Sequence, residues 1–306
     1  MLSWSSVSQN SFQKFKLFSL GVWFIVFFGS PVQARTLFDH FRNRVELSDR
    51  PQRIVTLAPS LVEIAAQLLG QDLTRIVGVV EKSDFPLGLK QLDSVGAYHQ
   101  FSVERVVALK PDLVLATADG NPRDRVNQLR ELGVPVVISQ QKTLLEIEDT
   151  VSLVAASLGV AARGREQLVK FRRELDGIAK RSRSHPPLKV LLQLGDGPMV
   201  VVGSASFLND CLKQIGARNI YSDAPLGYPH PSVEDVLARD PDVIVILTFD
   251  SSSQRNEEMR REWLSFKNLS AVKRGQVHLF KSDELLRPTF RIVEGLKGLA
   301  QLIYGG

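Results

Sequence analysis

Tyr98–Asp112 reads YHQFSVERVVALKPD, and Tyr228–Asp242 reads YPHPSVEDVLARDPD. The two stretches lie 130 residues apart and agree at eight of fifteen positions. Chance would match about one position in an ungapped window of that size. In each copy a serine, Ser102 or Ser232, stands where it can cap a helix. Apolar residues follow at helical spacing, and Pro-Asp then leads into an apolar strand, Leu113-Val114-Leu115 or Val243-Ile244-Val245. A helix–strand unit repeated at constant offset implies a duplicated lobe, with the two copies facing each other.

Working outward, strands and helices alternate. Arg53–Leu57 is a short apolar run. Ser60 then opens a helix, with Glu63 placed to complete a capping box. Leu61, Ile64, Ala65, Leu68 and Leu69 recur at helical spacing, and Gly70 stops the helix. Ile76–Val80 reads as the next strand. A helix near Arg125–Leu132 ends at Gly133 and leads to Val134–Ile138. Thr143 and Glu146 form a second capping box before a helix running to Leu158. Ala162–Arg183 reads as one charged helix about 33 Å long, with Leu168, Phe171, Leu175 and Ile178 as a narrow apolar stripe. His185-Pro186-Pro187 ends it, and alternation resumes at Lys189–Leu194. The pattern predicts an α/β fold: two Rossmann-like lobes with central, mainly parallel sheets, joined by one long stiff α-helix. The expected divisions are a leader over 1–34, an N-terminal lobe over 35–160, the interlobe helix over 161–186 and a C-terminal lobe over 187–306.

The leader reads as an address. Lys14 and Lys16 precede an apolar run, Leu17–Phe28, then Gly29-Ser30-Pro31 and Val32-Gln33-Ala34. A basic flank, an apolar core of about 12 residues and small residues at a cut site form a secretory signal. The run is short of the about 20 residues a membrane span needs, so cleavage after Ala34 is expected over an uncleaved anchor. No cysteine lies near the cut to take a lipid. Cleavage removes two lysines and no acid, taking the formal charge from +5 to +3. The product is expected in the periplasm, where nucleic acid is not an accessible partner. The basic cluster Lys180–Arg183 has a simpler use as cations at the negative end of a helix. The chain has 306 residues, 44% hydrophobic and 23% charged, which excludes disordered and low-complexity classes. Its aromatic content is low, 8%, and two of its three tryptophans, Trp4 and Trp23, lie in the leader, which leaves Trp263.

Enzyme signatures are scarce. Gly195-Asp196-Gly197 carries only the start of a dinucleotide fingerprint and reads as a turn. There is no GxxxxGK[ST] loop, HExxH or GxSxG. The single cysteine, Cys211, shares a helical face with Phe207, Leu208, Leu212 and Ile215 and reads as a core thiol. None of the five histidines is paired at metal-ligand spacing, so no metal site and no catalytic residue is expected. What remains is symmetric. Tyr98 and Tyr228 occupy matching loops at the carboxyl side of their sheets, where ligands bind in doubly wound folds. Two tyrosines can grip a large planar or apolar ligand from both lobes. Glu104 and Glu234 each stand second in their helices. They serve either as acids complementing the helix dipole or as a pair of docking charges, and spacing alone leaves both readings open.

At these residues the chain resembles the periplasmic substrate-binding proteins of cobalamin and ferric-siderophore ABC importers. It looks most like their cobalamin-binding branch. The likeness runs from Arg53–Pro59 onward. It is carried by Ser102–Ala116 with Asp119-Gly120-Asn121, by Gly78-Val79 with Ser83–Pro86, and by Ser282-Asp283 with Arg287 and Arg291. The resemblance implies capture of a metal chelate such as cobalamin as cargo, with no resident cofactor. It implies delivery by a monomer to an ABC importer permease and its ATPase, with Glu104 and Glu234 as docking residues. It also implies a pocket holding Tyr98 and Tyr228, with Asp283, in a loop, at the ligand's polar edge and Arg287 nearby. Lys82 stands where a pocket tyrosine is expected, Thr117 where a tryptophan is, and Glu284-Leu285 where further aromatics are. That makes the pocket more charged, less aromatic and dependent on its tyrosines. A ferric siderophore, haem or another corrinoid therefore stands beside cobalamin. In haem binding, Tyr98, Tyr228, His99 or His230 would supply an axial ligand. An exported α/β enzyme is the remote alternative.

Overall fold

The structure, a computed structural model, describes residues 34–89, 91–182, 184–195, 198–249 and 254–305. The leader, except Ala34, lies outside the described residues, as do Asp196 and Gly197 of the expected turn.

The first sheet is fully parallel. Its order is Ile76–Val79, Ile54–Thr56, Leu113–Thr117, Val136–Ser139. Ile54 pairs with both Ile76 and Leu113, and Val114 with Val136. Every residue of Ile54–Thr56 and Leu113–Thr117 is buried, as expected where helices cover both faces. The second sheet is mainly parallel. Lys189–Leu194, Val243–Thr248 and Val277–Lys281 run in parallel, Val200–Val201 adds an antiparallel edge, and Arg218–Asn219 pairs with Lys189–Val190. The α/β fold with two parallel-sheet lobes stands as expected.

The duplication is visible in detail. Ser102 accepts from the Arg105 N–H and caps Val103–Ala108, and Ser232 accepts from the Asp235 N–H and caps Val233–Arg239. Each such cap contributes about 1 kcal/mol. The Pro-Asp step has the same use twice. Asp112 accepts from the Gln52 and Arg53 N–H groups at 2.7 Å, and Asp242 accepts from the Lys189 N–H at 2.8 Å. Each aspartate thereby ties its own strand to the start of the central one.

The long helix spans Ala161–Ser182. Leu168, Phe171, Leu175 and Ile178 are all buried, in one hydrophobic core that also takes Leu61 and Leu68 of the first lobe and Leu212, Leu296 and Leu299 of the second. Phe171 meets Phe290 edge-on at 5.9 Å. Burying four such side chains is worth roughly 6–12 kcal/mol before entropy. The helix is therefore a core element shared by both lobes, and that burial, more than its length, opposes bending.

Two capping expectations are corrected. The helix expected to open at Ser60 spans Pro59–Leu69 and has no side-chain cap. Pro59 supplies the fixed φ of a first helical residue, which frees Ser60 to bond Gln141 (3.0 Å) and Glu63 to turn into the protein. Thr143 does cap Leu144–Ser157, but Glu146 reaches the Lys142 N–H and Gln140 in place of the Thr143 N–H.

Candidate functional site

Between the two sheets lies a cleft of about 1290 Å³. Ordinary small-molecule pockets hold about 300–1,000 Å³, so its size suits a large ligand. Its walls are the segments leaving the carboxyl ends of parallel strands. Ala58, Pro59 and Ser60 follow Ile54–Thr56, and Ala118, Asp119 and Gly120 follow Leu113–Thr117. Phe249 follows Val243–Thr248, and Asp283 follows Val277–Lys281. The strand Ile54–Thr56 is flanked on opposite sides by strands later in the chain, so the first lobe contributes its topological switch point.

On the first wall, Tyr98 and His99 form the turn between Gly96–Ala97 and Gln100–Phe101. Neighbouring turn residues splay apart. Tyr98 lines the cleft, whereas His99 is exposed and lies outside the lining, which corrects its assignment as a ligand contact. Asn121 stitches the turn down: its Nδ2 donates to the Tyr98 and Leu57 carbonyls (2.8 and 2.7 Å), and its Oδ1 accepts from the Thr117 N–H at 2.8 Å. Thr117 is 2% exposed, beneath the surface, and its hydroxyl bonds to Asp119. It supports the wall without contacting a ligand, a second correction, because a strand residue covered on both faces has no route to the cleft. The Tyr98 ring lies against Gly120 so closely that a Cβ there would collide with it. Gly120→Ala is therefore expected to displace Tyr98 and weaken ligand binding about ten-fold, with a modest fall in Tm because that ring packs against two hydrophobic cores. Calorimetry beside a thermal melt checks this, and unchanged affinity would refute the seating of Tyr98.

On the second wall, Tyr228 is half exposed and shares a hydrogen bond with Ser206 (3.2 Å). Phe207 and Phe249 also line the cleft, so the expectation of a pocket dependent on tyrosines alone is corrected. Both phenylalanines were findable, one just after the Ser206 cap and the other just past a strand end. Glu284 and Leu285 lie off the lining, the first on Arg291 and the second fully buried.

Lys82, Asp283 and Arg287 line the cleft. Asp283 sits in a short helix, Asp283–Leu286, not a loop. Both its oxygens are engaged, Oδ1 by Arg287 Nε (2.7 Å) and Oδ2 by Arg291 Nη1 (3.0 Å). It therefore holds arginines in place of a ligand edge. These arginines reach across the lobes. Glu63, 3% exposed, accepts from Arg291 and Thr289 at 3.2 Å each and stands 3.5 Å from Arg287. Burial pushes its carboxyl upward, and the two guanidiniums pull it back. Arg287 also donates to the Lys82 carbonyl (3.1 Å), Gln141 donates to the Pro288 carbonyl (2.8 Å), and Arg291 covers the Phe85 ring at 4.2 Å. Glu63 is the residue that sequence reasoning missed most clearly, because its position mimics a capping box.

Burial, Asp119 and Tyr228 push the Tyr98 hydroxyl up to about 12, and burial likewise raises Tyr228. Both stay protonated near neutrality. Cys211 is fully buried, with its thiol pushed up. Among the described residues no cluster of three or more His, Cys, Asp or Glu could hold a metal ion. Glu104 and Glu234 lie away from the cleft and are exposed. The Ser102 hydroxyl holds Glu104 below its usual range, and the helix N–H and Ser232 hold Glu234 there. Each lobe thus presents one ionised carboxylate at a helix N-terminus.

The periplasmic binding protein family model matches residues 54–284. The vitamin B12-binding protein of Vibrio cholerae serotype O1 is 32% identical over 247 residues, 80% of this chain and 87% of its own. The crystal structure of the periplasmic vitamin B12-binding protein BtuF of Vibrio cholerae superposes with a TM-score of 0.73 at 31% identity, covering 83% of this chain and 96% of that one. A periplasmic haem-binding protein from Pseudomonas aeruginosa superposes with a TM-score of 0.71 at 30% identity, covering 84% and 94%.

Proposed function

Because this chain belongs to the periplasmic binding protein family, we propose that it captures cobalamin or a related corrinoid in the interlobe cleft and delivers it to the permease of an ABC importer. In this reading it works in the periplasm after losing its leader, as a monomer, and catalyses no reaction. The carrying observation is the chemistry of the cleft. Four aromatic rings line it, two from each class, Tyr98, Tyr228, Phe207 and Phe249. Its charged residues balance, with Lys82, Lys142 and Arg287 against Asp84, Asp119 and Asp283. A corrinoid, edged mostly by neutral amides, suits a balanced cleft. Haem with two carboxylates, or an anionic ferric chelate, calls for surplus cations.

Calorimetric titration of the mature protein with cyanocobalamin, haemin and a ferric hydroxamate tests the reading. Tight binding of cyanocobalamin is expected. A preference for haemin, with the absorption bands of tyrosinate-ligated ferric haem, would replace it with the haem reading. In this reading Glu104 and Glu234 dock the loaded protein on the permease. Exposed charges act mainly on encounter rate and in a salt-dependent way. The double variant Glu104→Ala, Glu234→Ala is expected to cut uptake into proteoliposomes carrying the importer at least ten-fold while leaving ligand affinity unchanged. Loss of ligand binding in that variant would remove the docking assignment.

A further inference from the structure

We propose that Asp119 reads the polar edge of the ligand: it accepts a hydrogen bond from an N–H donor such as a peripheral primary amide, and it repels a carboxylate at the same place. The inference rests on the corrinoid reading and sharpens it to a selection among macrocycle edges. Asp119 lies on the first wall of the cleft, between Ala118 and Gly120 and beside the Tyr98 seat. One of its oxygens is anchored. Oδ2 accepts from the Gln141 N–H at 2.6 Å and lies 3.3 Å from the Thr117 hydroxyl, which also receives the Asp119 N–H at 3.2 Å. Oδ1 has no hydrogen-bond partner among the described residues. Lys142 and Glu146 act on the carboxylate only at longer range, and with opposite sign.

The other acids of the cleft do not offer this combination. Asp283 has both oxygens on arginines. Asp84 is exposed and has no anchoring hydrogen bond among the described residues. Asp119 alone among the three is held in place with one acceptor free. A preorganised acceptor loses little freedom when a ligand arrives. It also lies within electrostatic reach of both cleft tyrosines, so an amide at the rim of a macrocycle seated on those rings comes within reach of Oδ1. A carboxylate in that position meets the Asp119 charge at close range, while Lys142 of the same cleft acts only from farther away, which is an element of selection by repulsion.

The test uses mature full-length protein with two probes: cyanocobalamin, and the separated isomers of its monocarboxylic acid, each with one peripheral amide hydrolysed. In the native protein at least one isomer is expected to bind ten-fold or more weaker than cyanocobalamin. Asp119→Asn removes the charge, and its single oxygen stays on the Gln141 N–H, so its amide NH2 faces the ligand. It is expected to weaken cyanocobalamin binding about as much as Asp119→Ala does and to abolish the rejection of that isomer. Asp119→Ala is expected to lower cyanocobalamin affinity about ten-fold or more, the scale of a hydrogen bond to a charged group. Thermal melts accompany both variants, and if the alanine variant is unfolded the asparagine variant decides alone. Rejection of the isomers that is equal in the native and Asp119→Asn proteins overturns the proposal while the corrinoid reading survives. Failure of the native protein to bind cyanocobalamin overturns the corrinoid reading and this proposal with it.

Discussion

Replacing both cleft tyrosines, Tyr98→Ala with Tyr228→Ala, is expected to weaken cyanocobalamin binding between about a hundred- and a thousand-fold. Each ring offers a broad apolar face at low entropic cost, and an aromatic contact adds about 0.5–1.5 kcal/mol to what area burial supplies. With burial included, about 2 kcal/mol per ring is reasonable, and every 1.4 kcal/mol is ten-fold. The rings come from opposite lobes, so each single variant should retain part of the affinity. Stability should fall modestly in Tyr98→Ala, whose ring packs against two hydrophobic cores, and hardly move in Tyr228→Ala. Tyr228 bonds only to Ser206 among the described residues. Calorimetry on the two single variants and the double variant checks the prediction. A loss of less than about three-fold in the double variant would show that the ligand sits elsewhere.

Glu63→Ala is expected to lower Tm by about 6–10 °C. Glu63 is a buried carboxylate facing Arg287, Arg291 and Thr289 of the other lobe. Removing one member of a buried ion pair costs about 3–5 kcal/mol, because the partner is left buried and unpaired. Here the lower end applies, since both arginines keep Asp283 and Arg291 also keeps Glu284. For a chain of this size each kcal/mol moves Tm by about 2–4 °C. Ligand affinity should fall as well, because the same arginines fix the helix Asp283–Leu286 and the Lys82 carbonyl at the cleft wall. Circular dichroism melts of the mature protein measure the effect. A Tm within about 2 °C of the native value would mean that the shared core around the long helix, and not this clasp, sets the spacing of the lobes.

The parts of the site that sequence made legible are those signalled by local pattern. Tyr98 and Tyr228 stand at one register of the repeat, and both line the cleft. Ser102 and Ser232 cap as their spacing implies. His99 was misjudged because one residue of slip in a tight turn exchanges cleft for solvent. Thr117 was misjudged because alignment to a pocket position does not reveal whether a strand residue is covered. Glu63 shows the limit most sharply. Its place three residues after Ser60 satisfies a helix-capping pattern, yet its partners lie 226 and 228 residues away.

The alternation of strands and helices, the duplicated lobe, the long helix with its apolar stripe and the symmetric tyrosines and glutamates were all determined by the sequence on its own. They rest on periodicities of 2 and 3.6 and on caps within a few residues of each other, which any chain carries locally. Only the tertiary structure decided that the apolar stripe of the long helix is buried in a core shared by both lobes. It alone showed that Asp283 is occupied while one Asp119 oxygen has no hydrogen-bond partner among the described residues, that Phe207 and Phe249 add to the aromatic lining, and that Glu63 joins the lobes. A buried charge takes whatever partner the packed fold brings within reach, since leaving it unpaired costs several kcal/mol. That choice is made by the meeting of surfaces far apart in sequence.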